Sequence, residues 1–220
     1  VPPDFAQETL SGQPNLRFIH KRSGDVDFYF VANRSTEPER AIASFRIADR
    51  IPELWDPESG EIADARSWSA DNGVTHVPLA LDQAGSIFVV FRKKSPAAER
   101  GRPGIPKREF TQLTEITGPW HVAFEAERGG PKEPVTFERL QDWSQHPDDA
   151  IRFYSGTATY KASFMLADVP EDADGDRKLY LDLGRVEIMA AVKINGRDMG
   201  IAWKAPYRID VSKEIRPGEN

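Results

Sequence analysis

The feature that most constrains this chain is a series of short segments whose side chains alternate in polarity and which end at Gly, Pro, Asn or Asp. In "DVDFYFVAN", Val26, Phe28 and Phe30 alternate with Asp27, Tyr29 and Val31. In "AIASFRI", Ile42, Ser44 and Arg46 stand opposite Ala43, Phe45 and Ile47. "GSIFVVFRK" is apolar on both faces from Ile87 to Phe91, as expected of a strand central to a sandwich. Asp71-Asn72-Gly73 is a turn leading into "VTHVPLAL". A two-residue side-chain period in β-branched and aromatic runs fits a pleated sheet and does not fit a helix.

The second half repeats the pattern. In "SGTATYKASFML", Ala158, Tyr160, Ala162 and Phe164 share one face, and Thr157, Thr159, Lys161 and Ser163 share the other. "KLYLDLG" turns Leu179, Leu181 and Leu183 inward, and Asn195-Gly196 is a strong hairpin signal between two strands. Helix is short at best, with "FERLQDW" at Phe137 to Trp143 as the one candidate. Residues 95–118 interrupt the pattern with a Pro-, Gly- and Arg-rich stretch, "SPAAERGRPGIPKRE", which reads as a linker. The expected fold is therefore all-β, with two β-sandwiches: residues 1–95, a linker over 96–117, and a second sandwich over 118–220.

Composition narrows the chemistry. The 220 residues carry 39% hydrophobic and 29% charged side chains, a net charge of -6 and no cysteine. Thiol nucleophiles, disulfides and cysteine metal sites are excluded. The acidic balance argues against nucleic acid as a partner, and the basic stretch "RGRPGIPKR" has no aromatic residues interleaved to suggest otherwise. No apolar run approaches the ~20 residues of a membrane helix, so no membrane partner is expected. "VPPDFAQETL" has neither the basic nor the apolar region of a signal peptide.

Most catalytic signatures are missing. The sequence has no phosphate loop, no Gly-x-Ser-x-Gly and no His-Glu-x-x-His. His20, His76, His121 and His146 show no metal-ligand spacing. Asp172, Asp174 and Asp176 in "EDADGD" have the spacing of a calcium loop, but Arg177 and Leu183 stand where such a loop needs Gly and Glu. A solvated acidic loop fits better, a non-standard calcium site is the alternative, and no other cofactor or metal is expected. Asn33 to Ser35 match a glycosylation sequon, which matters only in a eukaryotic source. "FIHKR" is the one place where His and basic residues cluster beside acids, and a site of the chain's own would draw on His20, Arg22 and Asp27. Aromatics gather in the second half, where Trp143, Trp203 and Tyr207 could stack on sugar rings and Arg185 or Asn195 could read hydroxyls. The same aromatics could equally fill a core.

Several long blocks carry a resemblance. These are "FIHKRSGDVDFYFVANRS", "IPELWDPESGEI" and "VPLALDQAGSIFVVFRK", then "GPWHVAFEAERGGPKEPVTFERLQDWSQHPDDAIRFYSGTATYKASF" and "LYLDLGRVEIMAAVKINGRDMGIAWKAPYRIDVSKEIRPGEN". In this order they resemble the C-terminal β-sandwich region of glycoside hydrolase family 106, the α-L-rhamnosidases. The second half also resembles the galactose-binding-like jelly roll that binds sugars in family 2 glycosidases. The resemblance implies that the catalytic carboxylates sit on a barrel preceding these blocks, so no catalytic residue is transferred to this chain. It implies an accessory region of a hydrolase acting on plant or bacterial polysaccharide, with the barrel and carbohydrate as partners and a periplasmic or extracellular location. An autonomous carbohydrate-binding module is the alternative. It also implies that "RPGEN" is a turn before a closing strand that is missing, leaving a sheet edge beside "YRIDVS" that is open or covered by a neighbouring chain.

Overall fold

The computed structural model describes residues 1–94, 99–100, 109–170 and 177–220. It divides into two compact units, Val1–Phe110 and Thr111–Asn220.

The first unit is built from β1 (Phe5–Thr9), β2 (Leu16–Ser23), β3 (Val26–Asn33), β4 (Glu39–Phe45), β5 (Arg50–Trp55), β6 (Ile62–Asp64), β7 (Trp68–Asp71), β8 (Val74–Leu81), β9 (Ser86–Lys94) and β10 (Glu99–Arg100). They form two five-stranded antiparallel sheets, ordered β1-β4-β8-β7-β10 and β2-β3-β9-β5-β6. Their facing sides share one core, in which Tyr29, Phe45 and Phe91 are wholly buried. These three rings meet at centroid distances of 4.8 to 6.0 Å, edge-on or tilted, as ring quadrupoles favour. Phase in β3 is the less obvious one. Asp27, Tyr29, Val31 and Asn33 point inward, while Val26, Phe28 and Phe30 lie on the outer face. Asn72 and Gly73 both adopt positive φ between the paired residues Asp71 and Val74, the left-handed geometry of a tight hairpin.

The second unit contains β11 (Trp120–Phe124), β12 (Val135–Phe137), a one-turn helix α1 (Asp149–Arg152), β13 (Ala158–Lys161), β14 (Met165–Leu166), β15 (Tyr180–Asp182), β16 (Ala190–Ile194), β17 (Arg197–Ala202), β18 (Arg208–Asp210) and β19 (Gly218–Glu219). All pairings are antiparallel: β12-β11-β13, β14-β19, β15-β18 and β16-β17. One core gathers Val122, Phe124, Phe137, Ile151 and Tyr154; another gathers Val192, Ile194, Ala202, Ile209 and Val211. The inward faces of Ala158 and Tyr160 and of Leu179, Leu181 and Leu183 pack where the alternation puts them. The chain is all-β, as its alternation requires.

Several local readings can be set beside the structure. Phe137 to Trp143 is not helical. Phe137 ends β12, and Asp142 accepts from the Ser144 amide to start a single tight turn over Trp143–Gln145. Seven residues cannot offset the cost of helix nucleation when a competing side-chain cap is at hand. The expected linker begins with Glu99–Arg100 paired to Trp68 and Ser69, while residues 96–98 and 101–108 lie outside the described residues. Finally, "RPGEN" is more than a turn. Gly218 and Glu219 pair with Leu166 and Met165, and the Asn220 amide and carbonyl bond reciprocally to Phe164 at 2.9 and 3.0 Å. The β18 strand pairs with β15, and among the described residues no strand pairs with its other edge. The "EDADGD" loop, residues 171–176, lies outside the described residues.

Candidate functional site

The densest cluster of titratable groups lies where β1 meets the second sheet of the first unit. Alternation along β2 and β3 places His20 directly opposite Tyr29, and Arg22 opposite Asp27. The His20 ring stacks on Tyr29 with centroids 4.0 Å apart. Its Nδ1 lies 2.9 Å from Asp4 Oδ2 and its Nε2 lies 3.0 Å from Asp27 Oδ1. Tyr29 donates its hydroxyl to Asp4 Oδ1 at 3.1 Å, and Arg46 and Arg22 approach Asp4 and Asp27 at 3.4 and 3.9 Å. Asp27 is buried. Burial first, then the Asp4 charge, pushes the Tyr29 pKa well above its ordinary value, so the phenol stays a hydrogen-bond donor.

The three residues that the sequence offered for a site of the chain's own, His20, Arg22 and Asp27, thus do converge. Asp4, Tyr29 and Arg46 join them with no sequence signal to single them out. Both imidazole nitrogens face carboxylates, which accept and cannot donate when ionised. The ring has no nitrogen left over to take a substrate proton without breaking one of these bonds. The cluster fastens Asp4, just before β1, to β2 and β3.

A second histidine stands on the outer face of the first sheet. The register aligns Ala6, Ser44, His76 and Ser69 in one row across four strands. Ser44 Oγ lies 2.8 Å from His76 Nδ1, and His76 Nε2 lies 3.6 Å from Asp71 Oδ1. Hydroxyl, imidazole and carboxylate in this order are the parts of a nucleophilic triad. A triad also needs donors for the oxyanion, and β4 is paired on both edges, so the amides around Ser44 are committed to the ladders.

The sugar-stacking candidates separate by burial. Trp143 is half-buried and packs against Phe124 and Tyr154 at 5.6 and 5.8 Å. Tyr207 is half-buried against the second core of its unit. Arg185 is exposed and bonds Glu187 at 2.7 and 2.9 Å. Asn195 sits at the β16–β17 turn with positive φ and donates to the Glu214 carbonyl and to Asn220 Oδ1 at 2.7 and 3.0 Å. Trp203 alone of these aromatics is exposed, at 57%. Ile201 pairs with Ala191, and Met189 and Trp203 flank the Ala190–Ala202 pair, so Met189, Ile201 and Trp203 form one exposed apolar patch. The structure does not bring Trp143 into it. Among the described residues no group of three His, Asp or Glu side chains is arranged to hold a metal.

The α-L-rhamnosidase family, glycoside hydrolase family 106, matches residues 1–69. A putative β-glucuronidase of Formosa agariphila is 36% identical over 118 residues, which is 51% of this chain and 10% of that protein. A rhamnosidase structure from Novosphingobium sp. PP1Y superposes on 100% of this chain with a TM-score of 0.87 and 35% identity, and the match takes up 20% of that chain. The chain thus spans a fifth or less of the length of these relatives. Its first 69 residues are similar to the α-L-rhamnosidases of glycoside hydrolase family 106, and over its whole length it is similar to one region of a rhamnosidase, as its sequence blocks indicate.

Proposed function

We propose that this chain is a non-catalytic accessory region of a periplasmic or extracellular α-L-rhamnosidase-like hydrolase that acts on plant or bacterial polysaccharide. In this reading it supports a catalytic barrel, and its second unit is a galactose-binding-like jelly roll. The carrying observation is the full-length match to one fifth of a rhamnosidase. The self-satisfied state of the His20 cluster agrees with it. The test is turnover of an aryl α-L-rhamnoside by the purified chain. No release above the blank is expected, and activity that follows the chain through successive columns would overturn the reading.

A second reading gives the chain a carbohydrate contact at Trp203, favoured by the exposed ring with Met189 and Ile201 beside it. Calorimetry against rhamnose-containing pectic oligosaccharides checks this. Heats that vanish in Trp203→Ala would support it, and flat titrations at millimolar ligand would reject it.

A further inference from the structure

Asn-Gly occurs twice in the sequence, at Asn72-Gly73 and Asn195-Gly196, and the fold uses it in the same way both times. Each pair makes a two-residue hairpin turn, the first between the paired residues Asp71 and Val74, the second between Ile194 and Arg197. The backbones are nearly alike: φ is 46° and 80° along the first turn, 51° and 85° along the second. Both asparagines are exposed, and the space where a glycine Cβ would stand is open at Gly73 and at Gly196. An asparagine followed by an unhindered glycine can react with its own backbone. The glycine amide nitrogen, once deprotonated, attacks the asparagine Cγ. A C–N bond forms, the bond from Cγ to Nδ2 breaks, and ammonia leaves. Water then opens the cyclic imide at either carbonyl, giving aspartate or isoaspartate. The sum is hydrolysis of the side-chain amide, with no change of oxidation state.

What differs between the turns is the hold on the side-chain amide. Asn195 Nδ2 donates to the Glu214 carbonyl at 2.7 Å and to Asn220 Oδ1 at 3.0 Å. Asn220 is itself fixed, accepting from the Arg216 amide and donating to the Arg216 and Gly218 carbonyls. Turning the Asn195 Cγ toward the Gly196 nitrogen breaks both of its bonds, and two net hydrogen bonds amount to a brake of roughly tenfold or more. Asn72 Nδ2 reaches only the Asp71 carboxylate among the described residues, at 3.4 Å, and that carboxylate is itself mostly solvated. We propose that Asn72 is a site of spontaneous deamidation and isomerisation, and that Asn195 is held against the same reaction by Glu214 and Asn220. The consequence reaches past the turn. The isoaspartate branch routes the main chain through Cβ and Cγ, which lengthens the turn that sets the register of β7 on β8. β7 also carries Trp68 of the core. Either product adds a negative charge beside Asp71.

The test ages the folded chain at mildly alkaline pH and follows the peptides around both turns by mass spectrometry, with aspartate and isoaspartate forms separated. Asn72 is expected to convert roughly tenfold faster than Asn195 in the folded chain, and the two should convert at about the same rate when both turns are unfolded in urea. Asn220→Ala should speed conversion at Asn195 severalfold and leave Asn72 unchanged. Asn220→Asp, which keeps an acceptor for Asn195, should keep that site slow. Material enriched in isoaspartate at position 72 should melt its first unit at a lower temperature than fresh protein. Equal conversion of the two sites in the folded chain, or faster conversion at Asn195, would overturn the proposal. So would a folded Asn220→Ala variant in which Asn195 stays as slow as in the parent. If that variant loses the melting transition of the second unit, the folded-against-urea comparison in the parent chain decides alone.

Discussion

Asp27→Ala is the sharpest probe of the fastening at His20. Asp27 is 4% exposed, and its carboxylate accepts from His20 Nε2 at 3.0 Å. Arg22 lies 3.9 Å away and is largely solvated, so it adds little. Removing the carboxylate deletes one charge-assisted hydrogen bond and strands a ring nitrogen that is mostly shielded from water. A bond to a charged group contributes about 1.5–3 kcal/mol, and the stranded nitrogen brings the loss to about 2–4 kcal/mol. Asp27→Asn should behave differently. Its amide can donate to Nε2 of a neutral imidazole whose Nδ1 still donates to Asp4, so every partner remains bonded. The expected cost is about 1 kcal/mol or less. Calorimetry, fitted with one transition for each unit, reads the difference: for a domain of this size, roughly 10–20 °C is lost in Asp27→Ala and about 5 °C or less in Asp27→Asn. An alanine variant within about 0.5 kcal/mol of the parent would refute the fastening. So would an asparagine variant as unstable as the alanine one, because the tautomer reasoning would then fail.

Further outcomes follow from the same geometry. Trp143→Ala should destabilise the second unit by about 2 kcal/mol in urea unfolding, and Trp203→Ala by less than about 0.5 kcal/mol, because only the first ring is packed. Burial opposes the charge on Glu53, but bonds from Arg92 and Lys93 outweigh it and hold its pKa below the ordinary glutamate value; Glu39 is held down likewise, against its burial, by Ser11 and Asn15. Depressed carboxylates stabilise fully above the unfolded-state value, so the first unit should lose stability progressively as pH falls from about 5 through their folded values, and Glu53→Gln should flatten that slope in acid denaturation. A fluorophosphonate probe should leave Ser44 unlabelled by mass spectrometry, since the amides around it are committed to the ladders; stoichiometric labelling would show that the Ser44, His76 and Asp71 group is activated after all.

The alternation of polarity made the all-β class legible, because a period of two has one structural answer. It left the face of β3 open. Val26, Phe28 and Phe30 are as apolar as the inward Tyr29 and Val31, and a buried Asp27 is the reverse of what polarity suggests. The choice was made by a cross-strand partner that polarity does not reveal: buried Asp27 is bonded by His20 on the neighbouring strand. His20, Arg22 and Asp27 could be grouped from the sequence since they lie on one hairpin. Asp4 and Arg46 could not, because β1 and β4 bring them from the other sheet. Ser44 and His76 are 32 residues apart and meet only through strand pairing, which alternation does not specify. The turn at Asn195 was legible for a local reason, since Asn-Gly tolerates the left-handed backbone found there. The helix at Phe137 to Trp143 failed for an equally local one, the Asp142 cap.

The Gln7 side chain bridges the two sheets of the first unit. It lies on β1, an edge strand of one sheet, and its amide donates to the Leu16 carbonyl and accepts from the Leu16 amide, both at 2.9 Å, on β2, an edge strand of the other. A carboxamide is here acting as a peptide group. With Asp4 reaching His20 a few residues away, the two free borders of the sandwich are laced to one another. An extended peptide seeking to add itself as a new strand along β2 would first have to displace both bonds at Leu16. The chain therefore resists strand invasion and edge-to-edge aggregation at this corner by a means that involves neither proline nor a bulge.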